Sequence, residues 1–163
     1  MRKAIAFAAY VVVGVTLVGS LRVSAQTKDP RIGRWQLNVS KSKFTGTAPK
    51  SATRVYEDRG GGIVFFTVTT VTATGTTTAT LVLYKLDGKD YPQVPREAET
   101  MTVVSQRLVD AHTIEAVTKA NGKVVSTFTQ VVSADGKTLS YTLKDAQGKP
   151  TGVVQVFDRQ STT

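Results

Sequence analysis

From residue 53 onward the chain alternates stretches rich in Val, Thr, Ile, Phe and Tyr with short turns marked by glycine. Branched and aromatic side chains suit a pleated backbone. The pairs Asn121-Gly122 and Asp135-Gly136 supply the positive φ angles that two-residue hairpins need. This pattern predicts strands over 33–39, 53–58, 63–73, 76–86, 99–109, 113–120, 123–133, 138–145 and 152–158, with a turn at 87–90 leading into a loop holding Pro92 and Pro95. Four turns carry a polar residue followed by Gly-Lys, but at unequal intervals, so they reflect recurring hairpin chemistry and not an internal repeat. The fold class expected is all-β: a single antiparallel up-and-down barrel of about eight to nine strands, because closure removes the exposed edges of an open meander.

Ahead of this region, Arg2 and Lys3 precede an apolar run over 4–18 and the small-residue ending Val23-Ser24-Ala25. That is the pattern of a secretory signal peptide over 1–25, cleaved after Ala25. A retained membrane anchor is the rival reading, since the run approaches bilayer-spanning length. Absence of cysteine excludes a lipid anchor on an N-terminal cysteine and any disulfide. Residues 26–32, with Asp29-Pro30, read as a polar linker, and 33–160 as one domain long enough for a substantial core. The expected location is outside the cytoplasm, periplasmic or secreted, with no membrane span once the leader is removed.

The chain has 21 Lys and Arg against 12 Asp and Glu; Arg2, Lys3 and Arg22 lie in the leader, so the remainder carries +6. These charges are scattered singly, which argues against a nucleic-acid stripe. Alternation places Ile114, Ala116, Ser126, Phe128, Gln130 and Val132 on one face, and Leu139, Tyr141 and Leu143 on another. Nine threonines over 67–80 interleave with Val68, Val71 and Ala79, the mark of a hairpin with a hydroxyl-rich solvent face.

Catalytic motifs are weak. Ser40-Lys41-Ser42-Lys43 matches Ser-x-x-Lys, but its companion Ser-Asp-Asn and Lys-Thr-Gly elements are missing. Gly136-Lys137-Thr138 lacks the first glycine of a phosphate loop, which is Val131 here. His112 is the sole histidine, so no histidine metal cluster or paired-histidine acid–base system can form. Asp87, Asp90, Glu97 and Glu99 surround flexible turns, where solvation accounts for them. No enzyme activity, metal or cofactor is expected.

The segment Gly33-Arg34-Trp35-Gln36-Leu37-Asn38-Val39-Ser40-Lys41-Ser42-Lys43-Phe44, together with Asp87-Gly88-Lys89-Asp90-Tyr91-Pro92, Asp135-Gly136-Lys137-Thr138 and Val156-Phe157-Asp158-Arg159-Gln160, resembles exported bacterial lipocalin-like proteins of unassigned function, with a calycin-type β-barrel. The resemblance spans most of the chain after the leader, although the lipocalin Thr-Asp-Tyr motif has no counterpart. It implies that Gly33 and Trp35 close one end of the barrel with Arg159 across the indole ring, and that the loop over 40–52 is a lid at the other end.

Two functions follow as expectations. One is a binding protein holding a small hydrophobic ligand inside the barrel, with Phe66, Tyr84, Gln106, Phe128, Gln130 and Tyr141 as lining candidates. The alternative is a non-catalytic cell-envelope interaction or structural module whose barrel is filled by its own side chains. No protein partner can be named from the sequence.

Overall fold

A computed structural model describes residues 29–95, 100 and 102–161. The expected leader lies outside them, as do Glu97, Glu99 and the first part of the expected linker. The strands are β1 (Gly33–Leu37), β2 (Ser51–Asp58), β3 (Val64–Val71), β4 (Thr77–Tyr84), β5 (Asp87–Pro95), β6 (Thr102–Leu108), β7 (Thr113–Ala120), β8 (Lys123–Val132), β9 (Thr138–Lys144) and β10 (Pro150–Gln160). Each pairs antiparallel with the next, and β1 also pairs with β10 through Arg34–Leu37 and Phe157–Gln160, closing an up-and-down barrel. Asn121 and Gly122 both adopt positive φ, 49° and 74°, as a tight β7–β8 hairpin demands.

The barrel has ten strands where eight to nine were expected. The added one is β5, which the prolines disguised as a loop. Its ladder to β4 is short, running only from Thr80–Pro95 to Val82–Gln93, and its register with β6 shifts between Asp87 and Asp90. A strand paired so briefly on one side accommodates proline at low cost. The threonine-rich region forms the β3–β4 hairpin, in register from Val64–Tyr84 to Val71–Thr77.

Inward-facing residues divide the interior into two halves. Toward the end where β1 starts, Trp35, Tyr56, Val64, Val82, Tyr84, Val104, Ile114, Ala116, Val132, Leu139 and Phe157 are buried in one core. One or two pleats further along the same strands, Phe66, Val68, Thr80, Thr118, Ser126, Phe128, Tyr141 and Leu143 are only half-buried. A packed half therefore adjoins a half that water reaches.

Candidate functional site

At the packed end the chain ahead of β1 folds inward as a plug. Composition marked residues 26–32 as a linker, yet Asp29 and Arg31 are buried, 6% and 1% exposed. The guanidinium of Arg31 donates to Asp29 through Nε (3.0 Å) and Nη2 (3.0 Å), to Tyr84 Oη (2.7 Å), to Gln106 Oε1 (2.7 Å), and to Gln130 Oε1. All five N–H donors of the group are thus used. Tyr84 passes a hydrogen bond on to Asp29 (2.8 Å), and Gln130 donates to Tyr56 Oη (3.1 Å). Sequence reasoning overlooked this plug because its two ionic residues lie outside any strand alternation and sit beside a turn-forming Asp-Pro pair.

Burial opposes ionisation of Asp29, but the charge of Arg31 and its hydrogen bonds outweigh that penalty and hold the carboxyl below its ordinary value. Burial drives the Tyr84 hydroxyl well above its usual range, so it stays protonated as a donor. Desolvation disfavours the charge on Arg31 too, yet its surroundings more than compensate, and the group remains a cation.

Trp35 stacks beside this plug. Its Nε1 donates to the Arg31 carbonyl (2.7 Å), and the Arg159 guanidinium lies 4.0 Å from the indole centroid. Arg159 also donates to the carbonyls of Ile32 (2.8 Å), Pro30 (3.0 Å) and Gly136 (2.5 Å). Gly33 permits this: its φ is +132°, and a Cβ there would stand 2.7 Å from Arg159 Nη1. In this geometry Gly33, Trp35 and Arg159 form one structural cluster at the plugged end.

The six lining candidates separate. Tyr84, Gln106 and Gln130 are consumed by the Arg31 hydrogen bonds, which leaves them little capacity for a ligand. Phe66, Phe128 and Tyr141 lie in the water-accessible half, where Phe128 and Tyr141 pack with centroids 4.9 Å apart and Phe66 stacks on Tyr56 at 4.6 Å. Burial raises the Tyr141 hydroxyl above its ordinary value.

Between the halves sits Arg54, 9% exposed. Its Cζ lies 4.6 Å from the Tyr141 centroid, 4.8 Å from that of Phe157 and 5.7 Å from that of Phe66. Its hydrogen bonds are long: 3.4 Å to Tyr56 Oη and 3.5 Å to Gln155 Oε1, while Nε has no partner. Ala52, Arg54 and Tyr56 alternate inward along β2, so strand parity carries a signal for Arg54 that the sequence reading did not take up.

The first loop departs from the expected lid over 40–52. Ser51 and Ala52 belong to β2, and a 3-10 turn over Val39–Lys41 is capped by Asn38. Ser42 Oγ donates to the Asn38 carbonyl (2.7 Å) and accepts from the amide of Val156 (2.9 Å), while Lys43 bridges Val154. Lys41 pairs with Asp158 at 3.1 Å. The Lys41 and Ser42 side chains and the Lys43 backbone therefore anchor the loop to β10, while Ser40, the serine of the Ser-x-x-Lys pattern, donates locally to Asn38 Oδ1 (2.8 Å). A recess of 670 Å³ beside the plug is lined by Asp29, Ile32, Asp58, Val64, Lys85 and Leu86; another of 410 Å³ lies against β6–β8, and its lining includes the candidates Gln106 and Phe128. Among the described residues no group of three His, Cys, Asp or Glu is placed to hold a metal.

The closed antiparallel barrel, with its packed end and its accessible half, is a calycin-type fold. Solved structures of the fluorescent protein UnaG share it. An Asn-to-Ala mutant of UnaG superposes with a TM-score of 0.57 at 20% identity, covering 82% of this chain and 98% of that one. Wild-type UnaG gives 0.51 at 23% identity, covering 79% and 96%. At these identities the likeness is one of fold. No protein-family model matches the chain, and no curated protein does.

Proposed function

We propose that this protein is an exported, non-catalytic binding module that takes a small, largely apolar molecule into the half of its barrel opposite Trp35. One observation carries the reading: inward aromatic and aliphatic side chains, Phe66, Val68, Phe128, Tyr141 and Leu143, stay half-buried although they point into a closed barrel. Apolar surface held inside a wall and still wet is what a ligand would cover, and its desolvation supplies affinity. The calycin-type fold supports it, and the leader pattern at residues 1–25 supports export.

The test is titration with Nile red, a neutral apolar dye, followed by native mass spectrometry of the purified protein. The expected result is saturable one-to-one fluorescence enhancement, abolished by Val68→Trp, which fills the accessible half. No saturable binding, or equal binding by Val68→Trp, overturns the reading.

A filled interaction module has one observation in its favour. Leu81 and Leu83 on β4 are 40% and 53% exposed, and Leu81 faces Val94, 49% exposed, across the ladder to β5. This outer apolar strip is a surface another macromolecule could cover.

A further inference from the structure

The barrel interior holds two arginines in opposite states. Arg31 has each of its N–H donors on an acceptor and a carboxylate 3.0 Å away. Arg54 has no carboxylate partner among the described residues, its two hydrogen bonds lie at the outer limit of 3.4 and 3.5 Å, and its buried Nε donates to nothing. An isolated cation this deep in a protein is costly unless something pairs with it. Three rings, Tyr141, Phe157 and Phe66, surround the guanidinium and offer partial compensation through their π faces. They supply no hydrogen-bond acceptor along its edge.

We propose that Arg54 is an anion subsite, and that the occupant of the barrel is a mono-carboxylate with an apolar body. This rests on the reading of the accessible half as a ligand site and specifies its chemistry. A carboxylate is planar and presents two oxygens to the fork of Nε and Nη, satisfying the orphan donor with a bidentate pair. One unpaired cation matches one negative charge, which favours a carboxylate over a doubly charged phosphate. Phe157, fully buried, limits approach from the packed side, while Phe66 and Tyr141, half-buried, border the water-accessible side. The carboxylate therefore enters first and sits deepest, and the apolar body trails past Phe66, Tyr141 and Phe128 toward the β7–β8 hairpin end.

The geometry also separates Arg54 from the plug. Arg31 serves structure with its charge neutralised by Asp29; Arg54 holds its charge in reserve. Replacing a paired buried charge damages a protein, whereas replacing an unpaired one with an apolar side chain of similar length relieves it.

The experiment uses the full chain and two fluorescent probes, 11-(dansylamino)undecanoic acid and its methyl ester, which share one body and differ in charge. The expected result is that the parent binds the acid about tenfold more tightly than the ester. Arg54→Met brings the acid-to-ester ratio to about one, and Arg54→Lys gives an intermediate ratio because a point charge lacks the fork. A second readout guards against misfolding: ligand-free Arg54→Met should melt at or above the parent temperature. Equal binding of acid and ester by the parent, with both saturable, overturns the anion subsite and leaves the apolar site standing. A tenfold preference that survives in Arg54→Met also overturns it. Binding of neither probe overturns the ligand site itself, and the subsite with it.

Discussion

Replacing Asp29 by asparagine removes one charge from the plug while keeping its shape. The carboxylate accepts four hydrogen bonds, from the Arg31 amide (2.9 Å), Nε (3.0 Å) and Nη2 (3.0 Å) and from Tyr84 (2.8 Å), and among the described residues it is the sole ion-pair partner of Arg31. Asparagine leaves a fully buried guanidinium facing only neutral acceptors. Breaking a buried pair in this way costs about 3 to 5 kcal/mol. For a domain of this length that corresponds to a fall of roughly 10 to 20 °C in melting temperature. Trp35 is a built-in reporter, since its Nε1 is bonded to the Arg31 carbonyl; urea unfolding followed by its fluorescence gives the free energy directly. The double variant Asp29→Leu/Arg31→Met, which removes both charges, should recover much of the loss. Acid behaviour follows with a definite sign. The carboxyl of Asp29 is depressed in the folded state, so its contribution is present above the ordinary carboxylate range and drains away as pH falls through the lower folded value. The parent should thus lose stability below about pH 4, and Asp29→Asn should show a flatter acid limb. A urea midpoint for Asp29→Asn within error of the parent would refute the plug.

Two further substitutions probe the same end. Trp35→Ala should lose about 3 to 5 kcal/mol by emptying a fully buried ring site, measured by urea unfolding with circular dichroism; an unchanged midpoint would show that the indole does not close the barrel. Gly33→Ala should cost about 1 to 3 kcal/mol, because a side chain at φ +132° is strained and its Cβ would displace the Arg159 guanidinium. If Gly33→Ala melts with the parent, neither the backbone angle nor the Arg159 approach matters.

Strand-level architecture was readable because alternation and turn chemistry are local. The β7–β8 hairpin announced itself through Asn121-Gly122, and the span predicted at 113–120 is the span observed. Pro92 and Pro95 hid β5, since a proline's tolerance depends on whether a neighbouring strand asks for its N–H, and sequence does not show the neighbour. The site was legible by parity and not by role. Gln106 and Gln130 were correctly turned inward, but their acceptors are taken by Arg31, seventy-five and ninety-nine residues away along the chain. Such long-range pairing leaves no local trace, and a short Asp-Pro-Arg segment reads as linker until the cavity it fills is known. Arg54 was within reach of the same alternation, through Ala52-Arg54-Tyr56 on β2, and was not among the lining candidates.

The pairing of β1 with β10 sets an order of events. It joins Arg34–Leu37 to Phe157–Gln160 across nearly the whole domain, so the contact that makes a ring out of a ribbon is among the costliest in chain entropy and belongs late in folding. Until the last strand is synthesised and docked, Trp35 has no Arg159 above it and both outer strands of the ribbon remain unpaired. Without that strand the sheet stays open, and β10 acts as the clasp that commits the chain to its folded form.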